Sequence, residues 1–283
     1  MADNNISINS ETFANMVAAA QFASYENSIA RAITTIYDMP AGTGTTVQVP
    51  VWGGITANTP ADGVAATSAG TATTQAEITL AEHVVYHRIT DLLQSSAMSG
   101  DVLTQLADQS GRAIAESVDT NVFANFTNFT SSVGAAGADL TPDSILQAIT
   151  TLRAAKVSGP FYCVLNPKAA YGIKKLLTNA AYGATASALS DIGNSVLGQY
   201  YIGSLAGCTI LESGLVTIDA SDDSIGAVFS PSAIGLATRG AVTMREQYQA
   251  VNRATDLVVT GTVGSNIIQN THGVKLIGDA VIN

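Results

Sequence analysis

Charge is what this sequence has least of. Asp, Glu, Lys and Arg together make up 12% of its 283 residues, where about 25% is usual, and no lysine occurs before Lys156. Charge is what normally keeps protein surfaces apart. A chain of this size forms about two domains and can bury ~75% of its unfolded surface. So neutral a composition predicts that much of the remaining surface meets other subunits. The little charge present is acidic, 22 Asp and Glu against 12 Lys and Arg for a net of -10. That excludes a protein built to grip nucleic-acid phosphates, which takes clustered Lys and Arg. The one dense basic group, Lys168, Lys174 and Lys175, is spread along one helix and reads as a solvated face.

Sites for chemistry are equally sparse. The two cysteines, Cys163 in FYCVL and Cys208 in GCTIL, lie in apolar strand-like runs without CxxC spacing and are expected as packed, reduced thiols. There is no GxSxG, no GxxxxGK[ST] and no GxGxxG. GTGTT at 42–46 precedes a strand instead of a helix. His83 and His87, with Glu82 and Asp91 nearby, would bind zinc together only on a helix. The alternation of HVVYH predicts a strand, where they lie about 13 Å apart. No catalytic residue, cofactor or metal is therefore expected. No apolar run reaches about 18 residues and MADNNISINSE is not a basic-then-apolar leader. A chain that stays inside the cell is expected, which makes the sequons at Asn125 and Asn128 idle. No internal repeat of solenoid type is present.

Patterning along the chain supplies the architecture. Residues 10–37 place Phe13, Met16, Val17 and Ala20 at helical spacing, an arm with an apolar stripe. Residues 42–75 carry one charge, Asp62, and one aromatic, Trp52. Their strand-like start at 45–52 pairs with 75–89 in a long hairpin whose tip, between Gly53 and Thr74, cannot form a core of its own. The second strand is expected to put Ile78, Leu80, Val84 and Tyr86 on one face and Glu77, His83 and His87 on the other. A helix follows over 99–126, then a second opened by Thr141-Pro142, a strand at 161–165, and a third helix opened by Asn166-Pro167. Strands at 207–212 and 224–229 should share a sheet with 161–165, and a short helix is expected at 231–237. The end of the chain reads as strands at 242–251, 257–263, 267–270 and 274–277.

This order of segments, with FYCVLNPKAAYGIKKLL, GCTILES and SIGAVFSPSAIGLATRG, resembles the major capsid proteins of tailed bacteriophages of the HK97 fold. The resemblance implies an α+β chain divided into an N-terminal arm (1–41), an E-loop hairpin (42–90), a peripheral P domain with its spine helix (91–140), an axial A domain (141–240) and returning P-domain strands (241–283). It implies a virion subunit, assembled in the host cytoplasm into pentamers and hexamers of an icosahedral head around packaged double-stranded DNA, with no membrane. Scaffolding, if used, is expected as a separate protein, as are portal and decoration proteins. Lysine-based isopeptide crosslinking is not expected, for want of a lysine in the E-loop. The same fold also resembles encapsulins, bacterial compartment shells that enclose enzymes. For contacts between subunits the candidates are Trp52, as interface anchor or core residue, and Glu77, Glu82 and Arg88 against Arg31, Arg112 and Arg245.

Overall fold

The computed structural model describes residues 28–92, 99–178 and 203–281, with side chains of the long helix described from Gln105 onward. The arm stripe from Phe13 to Ala20 and the loop at 182–194 lie outside the described residues.

The α/β block forms where local signals are strongest. Helix α3 (Pro142–Ala154; α1 and α2 are placed below) starts where the Thr141 side chain accepts from the Ser144 amide, with proline in the first turn. After α3 and strand β6 (Phe161–Leu165) comes α4 (Pro167–Thr178). Its start is held by Asn166 Oδ1, which accepts from the Lys168 amide at 3.0 Å. Strand β6 shares a sheet with β8 (Cys208–Glu212) and β9 (Asp223–Phe229), as the sequence predicts, pairing in parallel with the first and antiparallel with the second. The full sheet adds β5 (Ser132–Gly134), β7 (Ser204–Leu205) and β12 (Gly273–Asp279) in the order β5-β12-β9-β6-β8-β7.

Both faces of this sheet are covered, which is why its strands read as continuous apolar runs. Cys163, Leu165, Val228 and Leu276 pack with Ile145, Leu152 and Ile173 of α3 and α4. Val164, Ala227 and Phe229 point the other way, onto Val118, Val122, Phe123 and Phe126. Those belong to the end of α2 (Ser99–Ala124) and the 3-10 turn after it. At about 1.5 Å per residue, the 26-residue α2 is about 39 Å long. Its earlier turns cover one face of a second, four-stranded sheet. That sheet contains β1 (Thr35–Asp38), β10 (Ile234–Gln249), β11 (Ala254–Ile267) and β4 (Ala81–Thr90) in the order β1-β10-β11-β4. Ile114, Val242, Met244, Leu257, Val259 and Ile89 fill the space between. The remaining pair, β2 (Thr46–Trp52) and β3 (Thr73–Thr79), projects as a hairpin.

Several expectations need correction. Helix does not continue to Tyr37. After the four-residue α1 (Ala30–Ile33) the β-branched run Thr34-Thr35-Ile36 enters β1, parallel to β10. Residues 231–237 are not helical, because β10 already begins at Ile234, paired with Ile267 of β11. No strand forms at 267–270: β11 ends at Ile267 and the chain bends into a 3-10 turn at Asn270–His272. The strand expected at 274–277 with the returning strands is β12, which lies between β5 and β9 in the six-stranded sheet. Lys174 is not on a solvated face. It is buried, with Nζ 2.7 Å from Glu212 Oε1.

The largest correction concerns the hairpin stem. The chain does not run as one strand from Gln75 to Ile89. It breaks at Leu80, whose amide donates to the Thr45 carbonyl at 2.8 Å, and β3 and β4 enter different sheets. Ile78 and Leu80 pack with Met39, Val49 and Ala237, but beyond the break the inward face carries His83, Val85, His87 and Ile89. Val84 and Tyr86 are about half exposed on the opposite face.

Candidate functional site

Two surfaces stand out, and both follow from that break. The first is the flap. Its ladder runs from Thr46↔Thr79 to Trp52↔Thr73, and its last well-buried side chains are Val49 and Ile78 near the stem. Beyond them large apolar residues stand open: Trp52 is 70% exposed, and Ile55 and Val64 are exposed too. Glycines 42 and 44, both at positive φ, turn the chain into the flap, where the Arg239 guanidinium donates to the Gly44 carbonyl and lies 3.3 Å from Met39 Sδ.

The second surface is the face of the four-stranded sheet turned away from α2. Register places Arg245 beside Val258 and Val258 beside Tyr86, with Gln247, Asp256 and Arg88 forming the next row. Asp256 accepts two bonds from Arg88, at 2.7 and 3.0 Å, and one from the Tyr86 hydroxyl at 2.8 Å. The Arg88 guanidinium, first, and the Tyr86 hydroxyl, second, hold the Asp256 carboxyl below its ordinary range, and Asp256 in turn pushes Tyr86 up. On the opposite face, in the row of Ile89, Tyr248 donates to Asp91 at 2.9 Å. Glu82, Tyr86, Arg245, Glu246, Asp256 and Val258 are among the residues lining a groove of about 690 Å³ on this face.

The folded-state carboxyl of Asp256 is depressed, so its contribution to stability is present above the unfolded carboxylate range and is lost as pH falls through the lowered value. Asp256→Asn is therefore expected to be less stable than the parent at neutral pH, with the difference closing in acid. Urea midpoints of the two proteins across the acid range check this.

The structure brings together some of the residues expected at contacts and separates others. Glu82 and Arg245 line one groove, and Arg88 stands beside it, held by Asp256 of its own chain. Glu77 is exposed on the flap stem. Arg112 pairs with Asp108 one turn away on α2, at 2.9 Å, and Arg31 lies on α1. The histidines do not converge. His83 Nδ1 is 2.6 Å from Ser117 Oγ and His87 Nε2 is 3.0 Å from Ser110 Oγ, each tying β4 to α2. Ser110 gives its hydroxyl hydrogen to the Leu106 carbonyl, so His87 donates from Nε2. Among the described residues no three His, Cys, Asp or Glu side chains form a metal-binding group. Both cysteines are buried, and the Cys163 thiol is pushed up by its hydrogen bond to Cys208 and by burial.

Asp119 escaped sequence reasoning. It is buried on α2, where it accepts from the Ser28 hydroxyl at 2.6 Å and from the Ile29 and Ala30 amides at 3.0 Å each. One carboxylate thus fixes the start of α1 to the long helix. The available signal was its place within the apolar stripe, between Ala115 and Val122.

A family profile described as phage capsid protein matches residues 75–275. By sequence, no protein of curated function matches the chain. Solved structures do. The chain is similar to a protein of Mycobacterium phage Che8, at 19% identity and TM-score 0.65 over 83% of this chain and 85% of that one. It is similar to the acid-stable capsid of Helicobacter pylori bacteriophage KHP30, at 13% identity and TM-score 0.68 over 89% and 91%. A virus-like particle from Pyrococcus furiosus matches at 13% identity and TM-score 0.60 over 92% and 97%. At these identities the likeness establishes the fold, the HK97-like arrangement of helices and sheets.

Proposed function

Because the chain belongs to the phage capsid protein family, we propose that it is the major capsid protein of a tailed phage, closing as pentamers and hexamers into an icosahedral head around double-stranded DNA. The carrying observation is the flap: a long hairpin with Trp52, Ile55 and Val64 exposed beyond its last buried residues. A monomer gains nothing from such a projection. In a shell it is the E-loop, laid on a neighbour.

The division into arm (1–41), E-loop (42–90), P domain (91–140 and 241–283) and A domain (141–240) then acquires a mechanical sense, with β5 and β12 assigned to the A-domain sheet and β4 to the P-domain sheet. The long helix and four-stranded sheet form a strut, and the six-stranded sheet with α3 and α4 forms the block that meets its copies at the capsomer axis. The protein's role is structural and not catalytic. The E-loop has no lysine, so shell strength comes from buried area and strand contacts without isopeptide bonds. The net charge of -10 favours a lining along which DNA slides without being held.

The Pyrococcus furiosus match supports one competing reading, a compartment shell of encapsulin type. Contents separate the two. Shells made with DNA-packaging partners are expected to hold nuclease-protected DNA. Shells that instead co-purify with an enclosed enzyme and take up no DNA would favour the compartment.

A further inference from the structure

We infer that the groove on the open face of the four-stranded sheet is the seat for Trp52 of a second copy of this chain. The inference rests on the shell reading and adds to it the receiving site and its chemistry.

The indole is amphipathic. It offers two broad π-faces, which attract cations, and a single N–H that can only donate. The groove supplies a counterpart for each part. Val258 and the Tyr86 ring make its apolar floor, fixed in adjacent register positions with Arg245. Among the described residues Arg245 takes part in no ion pair, whereas its neighbour Arg88 is consumed by Asp256. Arg245 is thus the cation on this floor left to lie against a ring. Glu82 and Gln247 stand exposed in the same lining as acceptors for the indole N–H.

The floor is also set before anything binds. Tyr86 is held by Asp256, and Asp256 by Arg88, so little ordering remains to oppose docking. On the flap, Ile55 and Val64 could use the apolar floor but neither the cation nor the acceptors. Trp52 uses all three. Its own chain leaves it 70% exposed, so the groove that covers it belongs to another copy. The size is suitable: about 690 Å³ accommodates an indole together with the flap backbone that carries it.

Trp52 is the sole tryptophan, which makes it its own reporter. In wild-type particles its emission is expected to move to shorter wavelength and its quenching by acrylamide to fall relative to unassembled subunits. Arg245→Met, which keeps an apolar stem and removes the cation, should give particles in which both changes are reduced. Contact is tested directly with Trp52→Cys combined with Arg245→Cys, since both native cysteines are buried. Mild oxidation of assembled particles should produce a ladder of disulfide-linked chains on a non-reducing gel. Trp52→Cys combined with Thr120→Cys, on the α2 face, should not. Shells that form yet give no ladder at 245, or an equal ladder at 120, overturn the inference and leave the shell reading standing. If the double variant does not assemble, unchanged quenching of Trp52 in wild-type shells overturns it equally. Failure of the wild type to form shells removes the premise itself.

Discussion

Gly264→Ala is expected to destabilise the chain by ~3 kcal/mol, the upper end of the usual range for overpacking, and to abolish shell formation. Gly264 sits where β11 passes under the Leu80 break. A Cβ there would fall inside the Thr79 carbonyl and 3.1 Å from the Leu80 Cα. These are backbone atoms and cannot turn aside like a flexible side chain. Thr79 is paired with Thr46 at the foot of the flap, and the next amide is bonded to Thr45. Relief therefore requires lifting the whole stem off the sheet, which misdirects the flap in every subunit. Gly54→Ala is the control. Its added methyl meets nothing within 4 Å, so its effect is expected within about 0.5 kcal/mol. Denaturant midpoints measure the first effect and sedimentation of assembled particles the second.

Asp119→Ala is expected to cost ~3 kcal/mol or more, because removing one acceptor strands three donors that are buried or nearly so, each worth about 1–3 kcal/mol when unsatisfied. The Ser28 hydroxyl can turn to another partner, but the Ile29 and Ala30 amides point along the axis of α1 and have nowhere else to go. Asp119→Asn should cost less, since its amide oxygen still accepts, while its NH₂ faces a donor. Equilibrium unfolding of the three proteins gives the order. A loss for Asp119→Ala no larger than that for Asp119→Asn would mean that the carboxylate is not what holds α1.

What could be read in advance depended on how local its cause was. The starts of α3 and α4 are written in Thr141-Pro142 and Asn166-Pro167, where cap and proline are neighbours in sequence, and the sheet around FYCVL follows from a run with no polar side. The length of α2 was legible for the same reason. The errors are non-local. Period-2 alternation carries a face assignment along a strand only while the strand is unbroken, so the interruption at Leu80 inverted Val84 and Tyr86. The placement of β12 depends on β9, some fifty residues earlier, and burial of Lys174 depends on Glu212, in another strand. Arg88 looked available to a neighbouring subunit until Asp256, 168 residues away in sequence, was placed across from it. Trp52 was singled out because it is alone in a charge-poor hairpin, and the structure leaves it uncovered. The groove that would receive it could not be foreseen, because it is assembled from three strands whose register the sequence does not state.

The most direct test of the account is electron microscopy of the purified protein together with the mass of the particles it forms. Closed polyhedral shells built of five- and six-membered rings, with hairpins lying across subunit boundaries, are the predicted result. A stable monomer or small oligomer under every assembly condition would contradict it.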